Sequence, residues 1–62
     1  MASSIEIRAA QKSELFRLLK LKRLNEKAGI KVEGINELIT ELKVPMEAED
    51  VAYVEKLIAE LG

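Results

Sequence analysis

The stretch FRLLKLKRL, residues 16–24, decides how this chain of 62 residues folds. Five large apolar residues and four cations share its nine positions. Leucine, lysine and arginine all favour helical backbone, and neither proline nor glycine interrupts them. At about 100° per residue, however, the apolar side chains of such a helix do not share one side. The stretch therefore predicts a helix covered by protein on two faces, or a basic helix that binds nucleic acid or a membrane.

The predicted first helix extends outward from this stretch to about residues 4–28. Ser3 and Ser4, followed by Glu6, are typical of a capping box, in which a serine hydroxyl accepts a hydrogen bond from an early backbone amide. At the other end, Gly29 is suited to the positive φ with which many helices terminate. Between these two ends the sequence predicts one uninterrupted helix.

A short strand is the alternative at the N-terminus. Ile5-Glu6-Ile7 alternates with the period of a half-buried strand, and Ile30-Lys31-Val32 repeats the pattern just after Gly29. The two segments would then pair with each other. The sequence leaves this alternative open.

Two shorter helices are predicted in the second half of the chain. The apolar residues after Gly34 recur with the spacing of a single helical stripe, which predicts a second helix over about residues 34–43. Proline disfavours helical backbone at the preceding residue, here Val44, so this helix should end at Lys43. Pro45 then suits the first turn of a third helix, predicted over about residues 46–61.

The fold class predicted from these three helices is all-α, with a helical hairpin that packs against a long N-terminal helix in a single domain, residues 1–62. A chain this short is near the lower limit for a core that is stable alone, and association often supplies the remaining stability. A helical homodimer is therefore the expected assembly. The core residues expected from the hairpin are Leu38, Leu42, Val54 and Ile58.

Apolar residues form two opposed faces on the first helix. The Leu21 face consists of Ile7, Ala10, Leu18, Leu21, Leu24 and Ala28. The Phe16 face consists of Ile5, Ala9, Leu15, Phe16 and Leu19. The Leu21 face ends beside the Gly29 turn, so the returning hairpin is expected to cover it. The Phe16 face is then left for a partner, because a contiguous exposed apolar patch marks an interaction site. In the alternative, the third helix covers the Phe16 face within the chain.

Charge is divided between the two halves of the sequence. Residues 1–30 hold seven cations and three acids, whereas residues 31–62 hold three cations and eight acids. The two halves are expected to face each other, within one chain or across a dimer. Such a division also fits a nucleic-acid surface. The residues that would form it are Arg17, Lys20, Lys22, Arg23 and Lys27.

The sequence offers little for catalysis or metal binding. It contains no histidine and no cysteine, which removes the commonest general base and the thiolate metal ligands. Glu47, Glu49 and Asp50 carry carboxylate oxygens, but they lack the glycine turn of a calcium loop and are better explained as charges at a helix N-terminus. No catalytic residue, metal site or cofactor is predicted, and the protein is not expected to be an enzyme.

The expected function is that of a small protein-interaction module that self-associates through its first helix, as a regulator or an assembly factor. A second copy is the first expected partner, and another protein is also considered. The alternative is a small nucleic-acid-binding protein that uses the basic half of the first helix. No run of residues approaches the roughly 18 apolar positions of a membrane span, and the N-terminus lacks a secretory signal. A cytoplasmic location without a membrane partner is expected.

Overall fold

A computed structural model describes residues 4–61 of the chain. Three helices account for most of them: α1 (Ser4–Lys27), α2 (Ile35–Lys43) and α3 (Ala48–Glu60). Each of these bounds lies within two residues of the predicted one. The all-α class is confirmed, because the described residues contain no strand. Ile5 to Ile7 lie within α1, so the strand alternative is wrong.

Both short helices pack mainly on α1 and have few contacts with each other. α2 runs back along α1: Ile35 lies near Asn25, and Leu42 lies near Leu18. α3 runs in the same direction as α1, with hydrogen bonds from Arg8 and Arg23 to residues near its two ends. Helix α1 is therefore the support on which the other two are mounted.

The core lies between α1 and the two short helices. Leu15 and Val54 are the most completely buried large side chains, and Ile58 is also buried. Leu15 and Val54 belong to a buried cluster of six that also contains Leu18, Ile35, Ile39 and Met46, with Phe16, Leu19, Leu42 and Val51 packed against it. Val54 and Ile58 are thus confirmed as core residues, and Leu42 is half-buried.

Leu38 corrects the predicted core. It is 54% exposed, whereas Ile35 and Ile39 are buried. A helix of nine residues turns only about three side chains toward the helix on which it packs. In α2 these are Ile35, Ile39 and Leu42. Leu38 lies about 60° to the side of Ile35 at 100° per residue, on the flank of α2.

The assignment of the two faces of α1 is also corrected. Leu15 is fully buried, and Phe16 and Leu19 pack against the core. From the Leu21 face only Leu18 is buried, while Leu21 and Leu24 are 42% and 56% exposed. The protein therefore builds its core on the Phe16 face, and the Leu21 face points mostly outward.

The loop after α1 explains how the chain reaches the Phe16 face. Gly29 adopts φ 73°, its backbone N–H donates to Glu26 O, and the N–H of Ile30 donates to Asn25 O at 2.8 Å. This is a Schellman termination, and it confirms the positive φ predicted at Gly29. The segment from residue 28 to residue 34 is long enough to carry the chain around α1, so its position beside Leu24 does not oblige the hairpin to cover the Leu21 face.

The connection between α2 and α3 differs from the predicted one. Val44 has helical dihedral angles (φ −53°, ψ −50°) although a proline follows it, and α3 begins only after Glu47, whose backbone is extended. Pro45 therefore lies in a turn and not in the first turn of α3. The predicted capping box at the start of α1 includes Ser3, which lies outside the described residues.

Candidate protein-interaction surface

Three large apolar side chains are exposed along one side of α1. Ile7 is 49% exposed, and Leu21 and Leu24 are exposed to a similar degree. Ala10 lies between them on the same side and is also exposed. Residues three and four apart are neighbours on a helix surface, so these side chains follow one line from the first turns of α1 to its end. The exposed side of α1 therefore carries an apolar row and not scattered leucines.

An ion pair interrupts this row at its centre. Arg17 donates from both Nε and Nη2 to the carboxylate of Glu14, and the Nε–Oε2 distance is 3.3 Å. The two residues lie three apart on α1 and are partly exposed. The hydrogen bonds from Arg17 lower the pKa of the Glu14 carboxyl, so both groups are charged near neutral pH. We define the outer row as Ile7, Ala10, Glu14, Arg17, Leu21 and Leu24.

A shallow groove between α1 and α2 runs beside the outer row. It is lined by Glu14, Arg17 and Leu18 from α1, and by Leu38, Leu42 and Pro45 from the other side. Exposed Leu38 thus contributes to the same surface as the outer row. The outward side of the molecule therefore combines an apolar row on one helix with an apolar residue on its neighbour.

The predicted interface residues are not brought together on one exposed surface. Leu15 is fully buried, so its assignment to an intermolecular face is wrong for this fold. Phe16 and Leu19 are half-buried because α3 packs over their side of α1. Ile5 is 77% exposed and Ala9 is exposed, so their part in an interface stays a prediction.

Sequence reasoning missed the part of the outer row that is charged. Glu14 and Arg17 are polar, so a search for apolar faces passed over both of them. The alternating spacing of three and four residues from Ile7 to Leu24 was the signal that includes them. No spacing in the sequence indicates that Leu38 is exposed, because its exposure depends on how α2 is rotated against α1.

Arg8 joins the opposite side of α1 to the N-terminal end of α3. Its Nε and Nη2 donate to the two carboxylate oxygens of Asp50 at 2.8 and 2.9 Å, and Nη2 also donates to Glu49 at 2.8 Å. Asp50 is only 5% exposed. The hydrogen bonds from Arg8 lower the pKa of Asp50 and raise that of Arg8 itself. The basic and acidic halves therefore face each other within one chain at this point, as the charge division predicted.

Two other cations of α1 also contact α3. The Lys12 ammonium lies 5.5 Å from the centre of the Tyr53 ring, within the range of a cation–π interaction. The guanidinium of Arg23 donates to Ile58 O at 3.0 Å. Together with Arg8, these contacts favour the Phe16 side of α1 as the side that α3 covers.

The basic residues of the nucleic-acid alternative do not form one basic face. Arg17 binds Glu14, Lys22 lies 3.9 Å from Glu26, and Arg23 is directed toward α3. Lys20 and Lys27 are exposed. At 100° per residue the five side chains point around most of the helix circumference, so a single duplex groove would not contact them together.

Among residues 4–61, no group of three or more histidine, cysteine, aspartate or glutamate side chains is placed to hold a metal ion. Glu49 and Asp50 instead share Arg8. No helix within the same residues is both long enough and apolar enough to cross a membrane.

The fold and surface define an all-α protein in which two short helices are mounted on one side of a longer helix. No family model matches the sequence, and neither a curated protein nor a solved structure shows detectable similarity to it.

Proposed function

We propose that this protein is a small, non-enzymatic interaction module that self-associates through α1, and that it does so with the outer row. The observation that carries the proposal is the exposure of Ile7, Leu21 and Leu24 in one line on a helix whose other side is already occupied. Scattered exposed leucines are ordinary on a protein surface, whereas an aligned set marks an interaction site.

The size of the protein supports the same proposal. The buried cluster of six apolar residues is small for a chain that must order 62 residues. Covering the outer row with a second copy would remove further apolar area from water at about 25 cal/mol per Å². Association of this kind stabilises the folded chain by mass action.

A role as a regulator or an assembly factor is part of the proposal, because such proteins act through surfaces and not through catalytic groups. A cytoplasmic location is also part of the proposal. A different protein in place of the second copy is the other partner that this surface would accept.

The proposal is tested by placing charge on the outer row. In the double variant Leu21→Glu with Leu24→Glu, the carboxylates would have to be desolvated in any interface that covers this row. We expect light scattering after size-exclusion chromatography to give a larger particle for the wild type than for this variant at the same high micromolar concentration. Circular dichroism should show unchanged helix content in dilute solution, because both positions are exposed in the protomer.

Leu61→Glu is the matched control. Leu61 is a leucine of similar exposure, 58%, but it lies at the end of α3. Its variant should keep the wild-type particle size. Equal particle sizes for the wild type and the double variant would contradict the proposal.

A further inference from the structure

The spacing of the outer row is the same in both directions along α1. From Ile7 to Leu24 successive members are separated by three, four, three, four and three residues, and from Leu24 back to Ile7 the order is identical. A row with this spacing follows one side of a helix closely enough to pack along a second helix. A second α1 that runs in the opposite direction would therefore place its row residues level with those of the first.

We propose that the second copy docks antiparallel on the outer row, in the register that places residue 7 of one copy opposite residue 24 of the other. This inference rests on the self-association proposed above and adds the direction and the register of the two helices. The same register places residue 10 opposite residue 21 and residue 14 opposite residue 17. Each of these pairs occurs twice, as two-fold symmetry requires.

Charge complementarity supports this arrangement. Glu14 and Arg17 lie at the centre of the row, and reversal places the glutamate of each copy opposite the arginine of the other. Two ion pairs would then form across the symmetry axis in addition to the pair that each copy already has. A central polar pair is also a device that fixes register in helix pairs.

The apolar members agree with the same register. Small Ala10 faces large Leu21 from the other copy, so a gap on one helix receives a side chain from the other. Ile7 faces Leu24 at both ends of the row. Exposed Leu38 and the groove beside Glu14 border the row on the α2 side, where they would extend the contact.

A parallel arrangement in register lacks these features. It would place Glu14 against Glu14, Arg17 against Arg17 and Ala10 against Ala10, giving two like-charge contacts and an unfilled gap. Like charges in direct apposition destabilise an interface, whereas opposite charges specify the partner and its orientation.

Disulfide cross-linking tests the relative direction of the two helices. The chain contains no cysteine of its own, so every disulfide must come from an introduced residue. Ile7→Cys and Leu24→Cys variants, one of them labelled with ¹⁵N, are mixed in equal amounts and equilibrated in a glutathione buffer. In the antiparallel register, position 7 of one copy lies beside position 24 of the other. The two copies of position 7 are then about 25 Å apart, since a helix rises 1.5 Å per residue. A disulfide needs Cα atoms within about 7 Å of each other.

We expect the mixed disulfide between labelled and unlabelled chains to exceed either homodisulfide by at least about ten-fold, as measured by mass spectrometry. Homodisulfides in excess, or no disulfide from chains that sedimentation shows to be associated, would overturn the antiparallel register and leave self-association standing. Chains that stay monomeric in every mixture and as wild type would instead refute the proposed function itself.

A charge reversal provides a second test that keeps the apolar residues in place. Glu14→Arg places four cations at the axis of the antiparallel pair, and we expect dimerisation at least about ten-fold weaker. Adding Arg17→Glu to the same chain restores opposite charges across the axis and should restore the wild-type affinity. An unchanged affinity for Glu14→Arg would contradict the inference, because the central charges would then lie outside the interface; the direction of the helices is tested by the disulfides.

Discussion

The two sides of α1 contain the same kind of residue but meet different surroundings. On the inner side of α1, where α2 and α3 pack, Leu15 and Leu18 are buried, while on the outer side, which carries the outer row, Leu21 and Leu24 stay exposed. Apolar content alone does not distinguish the sides, since both carry leucines at helical spacing. The difference lies in the cations: Arg8 and Arg23 lie on the side that α3 covers, and both hydrogen-bond to it. Polar contacts from Arg8 and Arg23 thus accompany the apolar packing on the side that became the core.

The largest contrast between the two sides is expected from truncating one leucine on each. Leu15→Ala should lower the free energy of unfolding by about 2–5 kcal/mol, because it leaves a cavity in a fully packed site. Leu24→Ala should change it by less than about 0.5 kcal/mol in dilute solution, where the protomers are apart. Urea unfolding followed by circular dichroism measures both values. Similar losses of unfolding free energy in the two variants would show that the two sides of α1 contribute equally to the stability of the protomer.

A smaller effect is expected from removing the ion pair between Arg8 and Asp50, which joins α1 to α3. The folded-state pKa of Asp50 lies below its ordinary value of 3.8. Its contribution to stability is therefore complete above that value and is lost as the pH falls through the lowered folded-state pKa. Asp50→Asn should be less stable than the wild type at neutral pH, and its stability should fall less between about pH 5 and about pH 2.

Urea unfolding at a series of pH values checks this prediction. Glu55→Gln removes one negative charge from an exposed position of the same helix and serves as the control for net charge. If Asp50→Asn loses as much stability on acidification as the wild type does, the contact with Arg8 does not contribute in the way the geometry indicates.

The smallest effect is expected when nucleic acid is added to the protein. Arg8, Lys12 and Arg23 contact α3, and Arg17 binds Glu14. We expect no measurable binding of random-sequence DNA by fluorescence anisotropy, even at low ionic strength. Binding whose logarithmic affinity falls linearly with the logarithm of salt concentration would favour a nucleic-acid function instead.

The sequence predicted the elements of this fold better than their arrangement. Helical spacing and the glycine at position 29 determine the three helices and one turn, because those signals act within a few residues along the chain. The side of α1 that α3 covers is marked by contacts between residues far apart in the sequence, among them Arg8 with Asp50 over 42 positions. No local pattern records such a contact. The prediction that Leu38 is a core residue was wrong for a related reason, since the exposure of Leu38 follows from the rotation of α2.

The candidate site is not the one that the sequence predicted. Reading α1 as a helix with two apolar sides identified Ile7, Ala10, Leu21 and Leu24, but assigned them to the core. Glu14 and Arg17 were left out because a search for apolar faces discards charged residues. Their role in the row belongs to the proposed pairing of two copies, and a single sequence gives no direct signal of such a pairing.

Sedimentation equilibrium of the wild-type protein over a concentration series tests whether the outer side of α1 is an association surface. The protomer has a mass of 6.9 kDa. We predict that the measured mass rises from this value in dilute solution toward twice this value at high micromolar concentration. A mass that stays at 6.9 kDa throughout the series would contradict self-association through the outer row.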